Sequence, residues 1–448
     1  MTSAKQTAQN LVEMLKKGHP DAEGLARVSI GKMSHTRFAV NEITTAGDTD
    51  DTEVSLTVSI GNRHATATTS RLEEEAHGEL VERAVAMAKL SPEDPEWMGV
   101  LGAQSYKPSG PTHDSATEKA TAEQRAEAAK AAIAIAKDKG VLAAGFFSTG
   151  SSETALASSR SLIASHSSTH ALMTSTARTT DGTGSGWAAA ESQRIGDVDA
   201  RAIATRAVDK ALASQKPREL DPGKYTVVLE PAAVASLVGF LREAMDARKA
   251  EEGRSYFAKS GGGSRVGEAI LAKGLSLRSD PSDPLTPGAS YDDEGFPLTP
   301  INWFESGTLK TLARSRYWAK KSGVAPTGTH ATIGLYGDPG PNAGVDQLVA
   351  KVDRGLLVTR FWYVRWLEPK TMAITGLTRD GVYLIEKGKI TAPVANFRFN
   401  DSPARVLGSV TAWSNETARF MGWGHGGLVR APAVVAHEFN MASKSAAV

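Results

Sequence analysis

The sequence of 448 residues contains no cysteine. This absence excludes disulfide bonds, thiolate nucleophiles, cysteine-ligated zinc and iron–sulfur clusters within the chain. A strong excess of positive or negative charge is also missing. The chain has 51 Lys and Arg residues and 50 Asp and Glu residues, which leaves a formal net charge of +1. Such a balance gives no long-range attraction to nucleic acid or to an anionic membrane, so direct binding to either is not expected.

Long hydrophobic runs are absent as well. The longest apolar stretch, from Pro231 to Leu241, covers about half of the roughly 20 residues that a helix needs to cross a bilayer. At the N-terminus, residues 1–17 place scattered apolar residues among polar ones, which indicates an amphipathic helix rather than a signal peptide. The sequence therefore predicts a cytoplasmic protein without a membrane segment.

The first half of the chain repeats one order of elements. Alternating apolar residues predict a strand over 52–60, and helical spacing predicts a helix over 71–90. The order then recurs, with a helix over 118–139, strands over 141–147 and 161–175, and a helix over 197–214. Because helix, strands and helix occur twice, we expect one α/β layer structure built of two similar halves.

The second half has a different composition. The polar segment from Lys216 to Gly223 contains two prolines and suits a domain boundary. Beyond it, short strand patterns dominate, and one long helix is predicted from Pro231 to about Ala250. The sequence predicts an α+β fold, with an N-terminal α/β domain over residues 1–218 and a C-terminal, mostly antiparallel β domain with one long helix over residues 219–448.

Histidines offer few metal ligands in recognisable spacing. The long helix carries no histidine pair of the zinc-hydrolase kind. His166 and His170 share one face of a predicted strand without a third ligand nearby, so an exposed polar face is the simpler interpretation. His437 also lacks a second histidine. His425, in the segment WGHGG, is the better candidate because flanking glycines allow a ligand to approach closely.

Other catalytic signatures are weak. Ser185 lies in GTGSG, which lacks the first glycine of a nucleophile elbow. The acidic segment YDDEG, residues 291–295, could supply an acid and a base if the pKa of a carboxyl is raised, although an exposed acidic turn is the alternative. Arg360 and Arg365, beside an aromatic run, could anchor a peptide carboxylate.

Seven segments, in this order, carry a resemblance to a known family. They are VVLEPAAVASLVGFL from residue 227, EEGRSYF from 251, YDDEGFP from 291, FESGTLKTLARSRYWAKKSGVAPTG from 304, QLVAKVDRGLLVTRF from 347, AITGLTRDGVYLIEKGKITAPV from 373 and GLVRAPAVVAHEF from 427. With these segments the chain resembles the TldD/PmbA family, and within it the TldE (PmbA) branch, over most of its length. The resemblance implies a two-domain architecture. It also implies TldD–TldE heterodimers that act as zinc metallopeptidases on unfolded, short or leader peptides.

The chain departs from the catalytic branch of that family. TldD-like chains carry a His-Glu-x-x-x-His motif on the long helix and a late cysteine as the third zinc ligand. The resemblance places the motif near Val238 to Glu243, but the window from Tyr225 to Lys259 contains no histidine. His425 lies near the counterpart of the cysteine, and one ligand does not hold a catalytic zinc. We therefore expect no catalytic residue, metal ligand or cofactor in this chain, and zinc in a partner subunit.

The favoured hypothesis is a non-zinc subunit of a TldD–TldE-type metallopeptidase complex, which forms part of the chamber for unfolded or leader peptides. Strand addition would hold an extended peptide through its main chain. The residues predicted to contact the substrate or partner are Tyr291, Asp292, Glu294, Gly295, Arg316, Tyr317, Thr327, Gly328 and His425.

Two alternatives remain open at this point. The first is a non-catalytic peptide-binding or regulatory protein with the same fold. The second is an autonomous hydrolase or biosynthetic enzyme whose site is built from YDDEG, Arg316, Tyr317 and His425.

Overall fold

The structure is a computed structural model that describes residues 3–338, 344–421 and 427–445. Within these residues the chain forms two sheets with helices packed on them, which confirms the α+β class. The first sheet is antiparallel throughout, with six strands in the order β3-β2-β1-β4-β5-β6. Its strands are β1 (Glu23–Ala39), β2 (Glu42–Ile60), β3 (Arg63–Thr69), β4 (Val141–Ser158), β5 (Ile163–Thr179) and β6 (Ser185–Ser192).

Helices cover one face of this N-terminal sheet in two similar sets. The first half contributes α1 and α2, and the second half α3, α4 and α5, each half with its own apolar core against the strands. The predicted repetition of helix, strands and helix is therefore confirmed. The helices are α1 (Ala4–Gly18), α2 (Glu74–Leu90), α3 (Ser115–Glu118), α4 (Ala122–Asp138) and α5 (Ala200–Ala213), with a 3-10 turn at Ile195–Asp197.

Strand β2 begins ten residues before the strand predicted from alternation. Residues 42–51 are all exposed or half-buried and mostly polar, so no periodic pattern marks them. They are strand because Val40 and Asn41, at φ of 51° and 62°, form a tight hairpin turn that pairs β2 with β1.

The second sheet is mixed and larger. In the described residues it has 11 strands, ordered β10-β9-β8-β11-β17-β15-β13-β12-β7, while β14 pairs with β13 and β16 with β17. Pairs β11–β17 and β12–β7 are parallel, and the remaining pairs are antiparallel. The strands are β7 (Gly223–Leu229), β8 (Leu275–Ser279), β9 (Ile301–Glu305), β10 (Thr308–Leu309), β11 (Thr332–Gly337), β12 (Arg354–Glu368), β13 (Ala373–Glu386), β14 (Lys389–Pro393), β15 (Phe397–Asp401), β16 (Val410–Met421) and β17 (Leu428–Lys444).

The long helix of the C-terminal half is shorter than predicted. Helix α6 (Pro231–Ala244) stops at Met245, and α7 (Ala247–Glu251) begins after it. The break occurs because Asp246 is an N-cap, whose side chain accepts a hydrogen bond from the Lys249 N–H at 2.8 Å. The other helices of this half are α8 (Arg316–Ser322), α9 (Val345–Val349) and α10 (Pro403–Gly408). None of the helices in the described ranges is long and apolar enough to cross a bilayer.

A buried ion pair of the second sheet is hydrogen-bonded to the first sheet. Asp380 of β13 is 1% exposed, and its carboxylate accepts hydrogen bonds from the Arg360 guanidinium, with Nε at 2.7 Å. The same carboxylate accepts the hydroxyl of Ser185, on β6 of the first sheet, at 2.6 Å. Ser185, considered above as a weak nucleophile, is thus a buried hydrogen-bond donor between the domains.

Further contacts support this junction. Lys210 of α5 pairs with Glu230, the residue before α6, at 2.6 Å, and both side chains are mostly buried. The Tyr383 hydroxyl donates to the Lys210 carbonyl at 2.8 Å. At the opposite edge of the interface, Arg248 of α7 makes two hydrogen bonds to Glu96, at 2.6 and 2.8 Å. The first sheet is therefore held against the second at several separate points.

We expect Asp380→Ala to lower the free energy of unfolding by about 3–5 kcal/mol, because Arg360 would remain buried without its counter-charge. Urea unfolding followed by tryptophan fluorescence measures this change, since Trp187 and Trp362 lie beside the pair. Asp51→Ala, at an exposed position of β2, is the matched control and should change little. An equal effect of the two substitutions would contradict the proposed contribution of the ion pair to stability.

Candidate functional site

A cavity of about 320 Å³ lies where β1 and β4 of the first sheet face loops of the second. We call it the polar pocket. Its wall combines charged and titratable side chains that are far apart in sequence. They include Arg27, Thr154, Arg242, Tyr291, Asp292 and His330.

The acidic segment YDDEG forms a closed turn at this pocket. Asp292 Oδ1 accepts the N–H groups of Glu294 and Phe296 at 3.0 and 2.9 Å, and Oδ2 accepts the N–H of Thr329 at 3.2 Å. Burial raises the pKa of Asp292, while these N–H donors act to lower it. Both carboxylate oxygens are engaged by the backbone, so the side chain organises the loop and joins it to the segment that follows Gly328.

Tyr291 and Gly295 contact the N-terminal half directly. The Tyr291 ring is buried, with its hydroxyl 3.4 Å from that of Thr154 on β4. The Gly295 carbonyl accepts a hydrogen bond from the Tyr106 hydroxyl at 2.8 Å. Gly295 has a φ of 79°, and a Cβ there would lie 2.5 Å from Leu162. The predicted substrate loop is therefore also a contact between the domains.

Arg316 and Glu294 form a second link of this kind. Arg316 Nη1 lies 3.0 Å from Glu294 Oε2 and donates to the Gly99 carbonyl at 3.1 Å, while Nη2 donates to the Met98 carbonyl at 3.2 Å. Tyr317 does not line the polar pocket; it packs partly against the C-terminal core, with the Arg248 guanidinium 5.8 Å from its ring centre. The guanidinium of Arg316 therefore has protein acceptors on both sides.

Thr327 and Gly328 lie beside the same turn. Thr327 Oγ1 accepts the Arg314 N–H at 2.9 Å, which fixes the segment against the residues just before α8. Gly328 has a φ of 67°, and a Cβ there would lie 2.4 Å from Leu298 and 3.2 Å from the Asp292 carboxylate. His425 lies outside the described residues. The structure thus brings Tyr291, Asp292 and the surroundings of Gly328 together at the polar pocket.

Two pocket residues were missed by the sequence analysis, Arg242 and His330. Arg242 lies near the C-terminal end of α6, and its Nη1 donates to the Ala331 carbonyl at 3.1 Å. His330 is 7% exposed, and within the described residues its Nε2 has no hydrogen-bond partner. Burial lowers the pKa of His330 to about 4, so the imidazole is neutral at pH 7. The one indication in the sequence was that Arg242 falls within residues 238–243, where the resemblance places the family's metal motif.

The other histidines considered above do not join this pocket. His437 is held through both ring nitrogens, by the Thr226 hydroxyl at 3.1 Å and the Thr411 hydroxyl at 2.9 Å. His166 and His170 lie on the face of β5 that is turned away from the helices, and burial lowers the pKa of each. The ring of His170 lies over Gly150 of β4, where a Cβ would come within 2.4 Å of the ring.

The donor set of this region does not fit a zinc ion. Among the described residues, no group of three or more His, Asp or Glu side chains could hold a metal. In the window of the motif, Val238 and Leu241 are fully buried in the apolar core, and Arg242 brings a positive charge to the pocket. A guanidinium repels a divalent cation, so we derive no metal-dependent step for these residues.

We expect Arg316→Ala to lower the free energy of unfolding by about 1–3 kcal/mol, because two backbone carbonyls lose their donor. Glu294→Ala should cost less than about 1 kcal/mol, since Glu294 is half exposed and its pair with Arg316 is accessible to water. Thermal and urea unfolding of the two variants, measured in parallel, shows which substitution destabilises the protein more. A larger loss of stability in Glu294→Ala than in Arg316→Ala would contradict the prediction.

His330 makes stability depend on pH. Its folded pKa lies below its unfolded one, so between pH 6.5 and 4 the unfolded state binds the proton first, and stability falls as the pH falls through this window. The loss should be about 3 kcal/mol. The charge of Asp280 raises the pKa of His330 and the charge of Arg242 lowers it, and burial remains the largest effect.

We therefore expect His330→Phe to lose about 3 kcal/mol less than the unsubstituted chain between pH 7 and pH 4. Urea unfolding at a series of pH values measures the difference. His113→Phe is the control, because that imidazole is partly exposed beside Glu118. Parallel pH curves for His330→Phe and the unsubstituted chain would show that the buried imidazole does not titrate in this way.

Comparisons with known proteins agree with this architecture. The chain matches three domains of one family: PmbA/TldA metallopeptidase domain 1 over residues 26–88, the central domain over 114–215 and the C-terminal domain over 222–443. No curated protein matches the chain at a significant level.

Solved structures share the fold. TldE from Thermococcus kodakarensis superposes with a TM-score of 0.86 at 21% identity, over 97% of this chain and 99% of that one. A candidate modulator of a DNA gyrase from Thermotoga maritima gives 0.81 at 19% identity, over 97% and 99%. A similar protein from Bacteroides thetaiotaomicron gives 0.82 at 19% identity, over 98% and 99%. Identities this low establish the fold alone, whereas the three domain matches establish that the chain belongs to the TldD/PmbA metallopeptidase family.

Proposed function

We propose that this chain is the TldE-type, non-zinc subunit of a TldD–TldE-type metallopeptidase complex. The observation that carries the proposal is Arg242, a cationic side chain in the window where the family's catalytic branch has zinc ligands. The neighbouring Val238 and Leu241 are committed to the apolar core. The chain keeps the family architecture and has other residues in place of the metal site.

In this proposal the chain supplies walls of a peptide chamber in the cytoplasm. The face of the first sheet that carries no helices is turned toward α6. The space between this face and the helix leaves room for an extended peptide. The zinc-bearing partner supplies the hydrolytic site, and main-chain hydrogen bonds hold peptides of varied sequence. Direct binding to nucleic acid has no support in the charge balance.

The site geometry weakens the autonomous hydrolase as an alternative. A general acid or base needs an atom within reach of a substrate proton. Both Asp292 oxygens accept backbone N–H groups, and Glu294 is paired with Arg316. We infer that these residues hold the loop and the domains in place. The regulatory alternative is separated from the favoured one by reconstitution.

We expect the purified chain to bind no stoichiometric zinc and to hydrolyse no peptide, and we expect hydrolysis once a zinc-bearing TldD-like chain from the same genome is added. Elemental analysis gives the zinc content, and a quenched fluorescent peptide gives the rate. Replacing the glutamate of the partner's motif by glutamine should abolish the rate.

Two results would change the conclusion. One tight zinc per chain, together with hydrolysis by the isolated chain, would overturn the proposal. A partner that hydrolyses the peptide equally well with and without this chain would favour the regulatory alternative.

A further inference from the structure

A second and larger cavity, of about 620 Å³, lies between the first sheet and the C-terminal half. We call it the aromatic cavity. Its walls are mainly apolar and come from both domains. The large side chains are Phe146, Leu172 and Trp187 of the first sheet, and Phe361, Trp362 and Phe420 of the second.

The base of this cavity is fixed by a buried ion pair. The Arg360 guanidinium lies 4.5 Å from the centre of the Trp187 ring and 5.0 Å from that of Trp362. Its counter-charge is the buried carboxylate of Asp380, which also lies 3.8 Å from Arg379. Arg37 and Glu191, of opposite charge, line the cavity too, but most of its wall is aromatic or aliphatic, which favours an uncharged apolar group.

The aromatic cavity and the polar pocket lie along one face of the sheet. In β4, Phe146 lines the aromatic cavity and Thr154 lines the polar pocket. An even number of residues separates them, so both side chains point to the same face, about 26 Å apart at the usual rise per residue. Between them on this face, Ser152 is small, and the ring of His170 lies over Gly150.

Helix α6 forms the opposite wall of the same space. Ala232 and Ser236 line the aromatic cavity, and Arg242 lines the polar pocket. Gly239 lies on this helix face between them, by helical spacing, and a Cβ there would meet no atom within 4 Å. The two cavities therefore lie between the same face of the sheet and α6, with the His170 ring between them.

We propose that the aromatic cavity binds a bulky apolar side chain, such as phenylalanine or leucine, of an extended peptide that lies between the sheet and α6. The proposal rests on the proposed function and names a feature of its substrate. A folded partner cannot enter a recessed cavity of this size, whereas a single side chain on an extended chain can. The aromatic walls then select among peptides that the main-chain contacts would hold alike.

The test uses the full chain without partner, so that it does not depend on hydrolysis. Two fluorescein-labelled octapeptides with blocked ends, identical except for Phe or Ser at the fourth position, are titrated by fluorescence anisotropy. The Phe peptide should bind about tenfold more tightly or better, as expected for burial of its side chain.

Two substitutions fill the cavity from opposite walls, Thr174→Phe on β5 and Ser236→Phe on α6. Each should remove most of the preference for the Phe peptide, and circular dichroism checks that each variant is folded. Thr68→Phe places the same new side chain on the distant edge strand β3, at an exposed position, and should keep the preference.

Equal binding of the two peptides by the unsubstituted chain, or no binding of either, overturns the proposal. So does a preference that survives in both filled variants. If phenylalanine amide alone competes as strongly as the Phe peptide, the cavity is a small-molecule site and the peptide proposal is wrong. An inactive reconstituted complex would count against the proposed function, while leaving the binding preference to stand or fall by its own measurement.

Discussion

The ion pair between Asp380 and Arg360 fixes the arrangement on which the rest of the structure depends. A carboxylate that is 1% exposed must be matched by charge and hydrogen bonds. Here the partners come from both domains, because Arg360 and Asp380 lie on adjacent strands of the second sheet and Ser185 lies on the first. The Asp380 carboxylate therefore links the two sheets. It also holds the guanidinium between Trp187 and Trp362, which forms the base of the aromatic cavity.

At the polar pocket, the region where the family resemblance places the metal motif of the catalytic branch is a place of contact between domains. Arg242 occupies the helix window, His330 is buried beside it, and the turn around Asp292 connects them to β4. The conformation of the segment YDDEG is explained by backbone contacts, since the Asp292 carboxylate accepts three backbone N–H groups. A role in peptide contact for Tyr291, Glu294 or Arg316 stays a prediction, because Tyr291 and Arg316 contact the N-terminal half and Glu294 pairs with Arg316.

Much of the fold could be predicted from the sequence, and the site only in part. Strands with alternating burial, such as β5, and the repeated order of helix, strands and helix follow from local periodicity. The exposed half of β2 and the break after Ala244 were missed, because a hairpin turn and the N-cap Asp246 decided them. The loop at 291–295 was found from its acidic residues, whereas His330 carries no pattern that separates it from an ordinary loop histidine.

By itself, the sequence determined that this chain has no cysteine ligand and no histidine on the helix of the metal motif, since composition and chain position alone decide both. It also determined the α+β class. Only the tertiary structure decided where the polar and aromatic cavities lie and which charges are neutralised. The physical reason is distance along the chain: Ser185 and Asp380 are 195 residues apart, and no local pattern relates them. Their contact depends on how two independently patterned sheets pack together.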